Sequence, residues 1–206
     1  MKTLGLIGGI GPESTVEYYR FIIEEFRKQK NDDSYPLIII NSVNLTKLVD
    51  LVTSNRLGEL ADELVREVEK LALAGVDFAA FASNTPHLVF DAVQQRSRIP
   101  LVSIVEAACK RAQELGLKRV GLFGTRFTME GSYYPAVFSR AGIELVIPDD
   151  EARAFIHEKY MGELLKNVFL PETREAMIGI ADNLKKQRQI EALILGGTEL
   201  PLRTRN

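Results

Sequence analysis

The feature of this sequence that most constrains its fold is the alternation of short apolar runs with longer amphipathic stretches. Between most of the runs, apolar residues recur three and four positions apart, as over Leu57–Ala74 and Ile104–Leu115, which is typical of helices packed on a sheet. No hairpin signal joins the runs, so the sequence predicts a parallel, doubly wound α/β fold with strands buried on both faces. The predicted strands are Leu4–Ile7, Leu37–Ile40, Phe78–Phe81, Leu101–Val102, Val120–Phe123, Leu145–Ile147 and Leu193–Leu195.

Two strand–turn segments occur twice along the chain. The segment Gly5-Leu6-Ile7-Gly8 returns as Gly121-Leu122-Phe123-Gly124, and 78–85 has a counterpart in 192–199. The two offsets are nearly equal, which favours two copies of one α/β unit over the chance similarity that buried strands also show. The interpretation is two similar lobes, residues 1–98 and 99–206, related by a pseudo-twofold axis. The carboxyl ends of their strands would then line a central cleft.

Composition excludes several classes of partner. The 206 residues carry a formal net charge of -2 with acids and bases scattered along the chain, so no footprint for nucleic acid or an anionic membrane is present. No segment approaches transmembrane length and the start of the chain lacks the pattern of a signal peptide, so we expect a cytoplasmic protein. Cys109 is the only cysteine, which excludes an intramolecular disulfide; its helical spacing with Val105 and Ala112 predicts a buried packing role.

The first turn, Gly8–Thr15, follows a strand and opens a helix, which is the setting of a dinucleotide-binding loop. Three residues argue against that function. Ser14 stands where the fingerprint requires a third glycine, Pro12 removes a backbone donor that would face phosphate, and Asn41 rather than an acid ends the second strand. A nucleotide is therefore not expected here.

Later turns carry polar groups that suit a substrate carboxylate. Pro86 fits the first turn of a helix, and Asn84 and Thr85 can donate to an anion at that helix start, although simple helix capping is the alternative. The segment Gly196–Pro201 closes the second half of the chain in the same manner. Further hydroxyls lie nearby in sequence in Gly124–Thr128.

Taken in order, the segments LGLIGGIGPESTVEYYR, SNTPH, GLFGTRFTME and LGGTELPL resemble the aspartate/glutamate racemase family over essentially the whole chain. Members of that family are two-lobed α/β proteins, commonly dimeric, that racemise an amino acid without pyridoxal phosphate or metal. The resemblance implies no cofactor, a homodimer, and a small amino acid or dicarboxylate held between the lobes. It implies substrate contacts at Gly9, Asn84, Thr85, Thr125, Thr198 and Glu199.

The family places one cysteine on each side of the substrate α-carbon, because inversion requires one group to remove the α-proton and another to deliver a proton to the opposite face. Thiols suit both roles, since they ionise close to neutral pH. In this sequence Ser83 and Gly197 stand at those catalytic positions. A symmetrical two-thiol mechanism is therefore excluded, and any activity has to be slow, one-directional, or dependent on water or on His87.

Several other side chains have both a functional and a structural interpretation. His87 could activate Ser83 or pack at the helix start, and Arg126 could be a surface arginine. By the same resemblance, His157 and Lys159 lie in the region that contacts the substrate side chain. Three functions stay open: an impaired racemase, a non-catalytic protein that binds an amino acid or dicarboxylate, and, less favoured because no thiol stands at either position, a decarboxylase.

Overall fold

The computed structural model describes residues 1–30, 33–197 and 199–203, and the chain divides into two compact units. Unit 1 is Met1–Ser103 and unit 2 is Ile104–Asn206. The division falls after Ser103 rather than after residue 98, where the sequence predicts it. The reason is that the strand Leu101–Val102 pairs with the strand at Phe78–Phe81, so the segment after Arg98 still belongs to the first sheet.

Unit 1 contains a parallel sheet with the strand order β2-β1-β3-β4. Its strands are β1 (Thr3–Gly8), β2 (Leu37–Ser42), β3 (Phe78–Phe81) and β4 (Leu101–Val102). A 3-10 helix, Thr85–Val89, directly follows the turn after β3. The α-helices are α1 (Pro12–Gln29), α2 (Leu45–Thr53), α3 (Leu57–Leu73) and α4 (Phe90–Arg96).

Unit 2 contains a parallel sheet with the strand order β6-β5-β7. Its strands are β5 (Arg119–Phe123), β6 (Glu144–Val146) and β7 (Ala192–Leu195), and 3-10 helices cover Leu164–Lys166 and Leu200–Arg203. The α-helices are α5 (Ile104–Glu114), α6 (Arg126–Met129), α7 (Tyr133–Arg140), α8 (Asp150–Gly162) and α9 (Pro171–Arg188).

The repeat that the sequence predicts is present in the strand register of the two units. Gly5 of β1 pairs with Ala79 of β3, and Gly121 of β5 pairs with Leu193 of β7. Both glycines lie beneath apolar side chains. A Cβ at Gly5 would come within 2.9 Å of Leu71, and one at Gly121 within 2.8 Å of Ile190. A glycine at each equivalent position therefore allows the neighbouring apolar groups to pack closely on the central strand.

Helices cover both faces of the unit 2 sheet, as a doubly wound fold requires. The successive residues Leu122 and Phe123 of β5 belong to two different apolar clusters, because neighbouring side chains of a strand point to opposite faces. Helices α8 and α9 contribute to the cluster around Phe123, and α5 and α7 to the cluster around Leu122. Cys109 packs in the second cluster with 4% of its surface exposed, which confirms the predicted packing role.

The expectation that every strand is buried on both faces is wrong for β2. Leu37 and Ile40 are 50% and 41% exposed. The strand lies at the edge of its sheet and has β1 as its one hydrogen-bonded neighbour in the unit 1 strand order. An apolar run alone cannot distinguish an edge strand from a central one, because both can be rich in β-branched residues.

Candidate functional site

In unit 1 the candidate residues lie in the turn that follows β3. Ser83 and Asn84 are both buried, and Thr85 begins the 3-10 helix with Pro86 in its first turn. The backbone carbonyl of Asn84 accepts a hydrogen bond from the N–H of His87, with a length of 2.9 Å. The side chain of Asn84 makes no capping hydrogen bond to this helix, so simple capping does not explain why an asparagine is buried there.

His87 packs at the start of this helix. The residue is 3% exposed and its ring stacks on Phe90 with a centroid separation of 5.0 Å, while its Nδ1 lies 3.1 Å from the carbonyl oxygen of Asn84. A carbonyl only accepts, so Nδ1 carries the proton of the neutral ring. Burial lowers the pKa of His87 to about 4, although the backbone carbonyls of Asn84 and Ser83 oppose the shift. The packing interpretation is therefore favoured over a general base for Ser83.

Gly9 lies in the turn after β1 and is held there by a hydrogen bond. Its N–H donates to Oγ1 of Thr15 over 2.9 Å, and its φ of 79° lies in the left-handed region that favours glycine. A Cβ at this position would come within 2.7 Å of Oγ of Ser42 and 2.8 Å of the backbone nitrogen of Val43. These contacts account for the glycine through the geometry of the turn, and the substrate contact predicted here stays a prediction.

In unit 2 the hydroxyl of Thr125 caps helix α6. It accepts a hydrogen bond from the N–H of Thr128 over 3.3 Å. The next residue, Arg126, is exposed and lies over the ring of Phe127 at 5.8 Å, and its backbone N–H donates to Nδ1 of His157 over 3.2 Å. The structure thus gives Thr125 and His157 local partners at the start of α6.

The two candidates for a distal carboxylate contact, His157 and Lys159, lie on α8. The pKa of His157 is lowered, mainly by burial and secondly by the charge of Arg126. Nζ of Lys159 lies 2.6 Å from a carboxylate oxygen of Glu163, and this ion pair raises the pKa of the lysine. An open concavity beside His157 is lined by Arg126, Glu130, Arg153 and Glu158, so its charges are mixed. It does not have the excess of cations expected of a site for a second carboxylate.

Gly197 follows β7, and the space for a side chain there is already filled. The φ of Gly197 lies outside the left-handed region, so its backbone would accept an ordinary L residue. A Cβ built on it would lie 2.9 Å from both Cζ and Oη of Tyr160, and closer still to Cε2. The phenol of Tyr160 therefore occupies the volume into which a residue at this position would project. The neighbouring candidate Thr198 lies outside the described residues.

Tyr160 and Glu199 form a buried pair beside Gly197. Tyr160 is 5% exposed and Glu199 is 3% exposed, and the phenol hydroxyl donates a hydrogen bond to the glutamate carboxylate. Sequence reasoning missed Tyr160. Its helical spacing from Ile156 and Leu164 indicates core packing, and all three residues do belong to one apolar cluster. No local pattern shows that its hydroxyl meets Glu199.

Three further features of the described chain lie outside the candidate turns. Across residues 1–30, 33–197 and 199–203, no group of three or more His, Cys, Asp or Glu side chains is placed to hold a metal ion. None of the helices within these ranges has both the length and the apolar character needed to cross a membrane. A cavity of about 250 Å³ in unit 2 has a mainly apolar wall that includes Phe123, Phe169, Met177 and Leu195.

Comparisons with known proteins place this geometry in context. The sequence model of the Asp/Glu/Hydantoin racemase family matches residues 7–206. The broad specificity amino-acid racemase RacX of Bacillus subtilis is 30% identical over 149 residues, which are 71% of this chain and 64% of RacX. The chain thus spans somewhat less than two thirds of the length of that curated relative.

Solved structures are similar over nearly the whole chain. A candidate Asp/Glu racemase from Yersinia pestis is 30% identical, with a TM-score of 0.88, and the match covers 98% of this chain and 88% of that one. An aspartate racemase homologue from Pyrococcus horikoshii is 35% identical, with a TM-score of 0.82 and the same two coverages.

Proposed function

The chain belongs to the Asp/Glu/Hydantoin racemase family, and from that premise we propose that it acts on a small acidic amino acid as a racemase-type enzyme that does not use pyridoxal phosphate. The reaction is the removal and return of the α-proton. Its capacity to invert the α-carbon is impaired, because Ser83 and Gly197 replace the two thiols of the family mechanism. The proposal rests on the family, on the polar turn after β3 and on the filled space at Gly197.

The turn after β3 supports binding of a carboxylate. Asn84 is buried in this turn, and its side-chain amide is a group that can donate to a carboxylate. At the start of the 3-10 helix Pro86 has no N–H and the N–H of His87 bonds to the carbonyl of Asn84, so side chains supply the support for an anion. Ser83 and Thr85 add hydroxyl groups to the same turn. A ligand with an acidic group fits this combination of donors.

The observation that carries the impaired inversion is the position of Tyr160. Gly197 offers no side chain, and the phenol of Tyr160 fills the volume where one would project. At the position of the first family thiol, Ser83 has an alcohol, which ionises far less readily than a thiol and needs a strong base beside it. His87 is neutral at pH 7 and its Nδ1 is held by a backbone carbonyl. Fast proton transfer on both faces of the α-carbon is therefore not expected.

The same observation favours a second candidate function, a binding protein without catalysis. If Tyr160 only fills space, the protein keeps a carboxylate-binding turn and has lost both proton carriers. The two candidates share the ligand and differ in the fate of its α-proton. Binding therefore tests the shared part of the proposal, and proton exchange separates the two functions.

Calorimetric titration with L- and D-aspartate, L- and D-glutamate, and neutral and basic amino acids tests the shared part. We expect saturable binding of at least one acidic ligand and weaker binding of the others. The substitution Asn84→Asp places a negative charge in the proposed cradle and should weaken binding by about tenfold or more. Asn44→Asp makes the same change at an exposed helix cap in unit 1, where aspartate is an equally good capping residue, and should leave binding unchanged.

Two outcomes would contradict the proposal. Absence of binding by every acidic amino acid, in protein whose circular dichroism shows a folded α/β chain, removes the ligand assignment. Equal weakening by Asn84→Asp and Asn44→Asp removes the assignment of the turn after β3, because it makes the effect one of net charge alone.

A further inference from the structure

The buried pair formed by Tyr160 and Glu199 has an unusual hydrogen-bond acceptor. A tyrosine hydroxyl that is buried needs an acceptor, and any backbone carbonyl would serve that purpose. Here the acceptor is a carboxylate, which is itself buried and which can take up a proton, as a carbonyl cannot. The hydrogen bond therefore connects two groups that are both able to exchange protons.

The location of the hydroxyl gives this pair a specific relation to the family mechanism. Oη of Tyr160 lies 2.9 Å from the position of a Cβ at Gly197, so it occupies the volume of the side chain that carries the second thiol elsewhere in the family. Glu199 comes two residues after Gly197 in the same segment. A proton-bearing oxygen with a carboxylate behind it thus lies beside the position that carries a thiol elsewhere in the family.

We propose that Tyr160 and Glu199 form a proton relay that takes the place of the second thiol, an inference that rests on the proposed function. In the forward step the Cα–H bond of the bound amino acid breaks and its electron pair stays on the substrate, delocalised toward the carboxylate. The proton moves to Oη of Tyr160 while the hydroxyl proton of Tyr160 moves to the carboxylate of Glu199. The substrate is then a carbanion, Tyr160 is again neutral, and Glu199 is protonated.

The reverse step returns a proton by the same route and to the same face of the α-carbon. Glu199 gives its proton to Oη of Tyr160 as Tyr160 protonates the carbanion, and exchange of the Glu199 proton with solvent between the two steps labels the substrate. A relay on one face produces exchange with retention of configuration. Inversion also needs a second proton carrier on the opposite face, which a one-sided relay does not provide.

Conservative variants separate a relay from a space-filling side chain. Tyr160→Phe keeps the ring that fills the volume at Gly197 and removes the hydroxyl. Glu199→Gln keeps an oxygen that can accept the hydrogen bond from Tyr160 but cannot take up the proton. Tyr134→Phe removes a hydroxyl from another buried tyrosine of unit 2, in the cluster around Leu122, and is the matched control.

The experiment incubates each protein with L- and D-aspartate and L- and D-glutamate in deuterated water and follows the α-proton by NMR. The wild-type protein should exchange the α-proton of a bound ligand with retention of configuration. Tyr160→Phe and Glu199→Gln should each lower the exchange rate by about 100-fold or more, the usual scale for loss of a general base. Calorimetric affinity for the ligand should stay within roughly threefold in Tyr160→Phe, which is less than 1 kcal/mol, and Tyr134→Phe should exchange as the wild type does.

Every other result overturns the relay, and each has its own consequence for the proposed function. Exchange by Tyr160→Phe at the wild-type rate makes Tyr160 a space-filling residue. Binding of aspartate or glutamate without any exchange by the wild-type protein removes the relay but keeps the ligand assignment, in favour of the binding protein. Failure to bind any acidic amino acid removes both the relay and the proposed function.

Discussion

A single methyl group at position 197 should destabilise the protein as long as Tyr160 is present. The backbone of Gly197 can accept alanine, and at such a position the substitution normally stabilises a protein by about 0.4–1 kcal/mol through the unfolded chain. Here the new Cβ would meet Cε2, Cζ and Oη of a buried ring. Overpacking of this kind costs about 1–3 kcal/mol, so we expect a net loss of about 1–2 kcal/mol.

The reasoning is tested by repeating the substitution after the ring is removed. Tyr160→Leu deletes all three atoms that the Cβ would meet. In that background Gly197→Ala should be neutral or slightly stabilising, which gives a coupling energy of about 1–3 kcal/mol between the two positions. Gly179→Ala is the matched control in unit 2, because a Cβ there meets nothing within 4 Å on helix α9, and it should stabilise by up to about 1 kcal/mol.

Urea unfolding monitored by circular dichroism gives the free energies of unfolding for the four proteins of this cycle and for the control. An equal effect of Gly197→Ala in the presence and absence of the Tyr160 ring would refute the account of the filled space.

The same reasoning bears on restoring the family thiols. Ser83→Cys with Gly197→Cys should racemise poorly, and adding Tyr160→Leu should raise the rate, because it gives the new thiol room.

Three further predictions concern the buried residues His87 and Cys109. Burial lowers the pKa of His87 from 6.5 to about 4. Between these pH values the unfolded chain binds a proton that the folded chain does not. The free energy of unfolding should therefore fall by about 3 kcal/mol as the pH drops from 6.5 to about 4. His87→Phe should lack that part of the pH dependence in urea unfolding, and parallel curves for the two proteins would contradict it. The thiol of Cys109 is buried and its pKa is raised by burial, so it should react with a thiol reagent about tenfold or more slowly in the folded protein than in urea. Cys109→Ala should leave proton exchange intact, and loss of exchange would place the chemistry at this residue instead.

Much of the fold was accessible from the sequence because its signals are local. All of the predicted apolar runs are strands in the structure, with ends that shift by a residue or two, as at β5 (Arg119–Phe123) and β6 (Glu144–Val146). The helix over Leu57–Leu73 follows the predicted spacing closely. The exposure of β2 was not accessible, since it depends on the order of strands in the sheet, which no single run encodes.

The candidate site was accessible only in part. The strand-end turns could be predicted because glycine, proline and small polar residues mark them, and the structure places Ser83 and Asn84 buried in the turn after β3. Tyr160 was missed because it is 39 residues from Glu199 in sequence and its position on α8 indicates only core packing. A contact between residues so far apart in sequence depends on how α8 packs beside the segment after β7, which a pattern along one segment does not specify.

The most direct test of the central claim compares proton exchange with inversion in the same sample of wild-type protein. L-aspartate and L-glutamate are incubated separately in deuterated water, the loss of the α-proton is followed by NMR, and the D-enantiomer is measured by chiral chromatography. With a proton carrier on one face only, deuterium should enter at least about ten times faster than the D-enantiomer forms. Inversion that keeps pace with deuterium entry would mean that both faces have an efficient proton carrier, which contradicts the account built on Ser83, Gly197 and Tyr160.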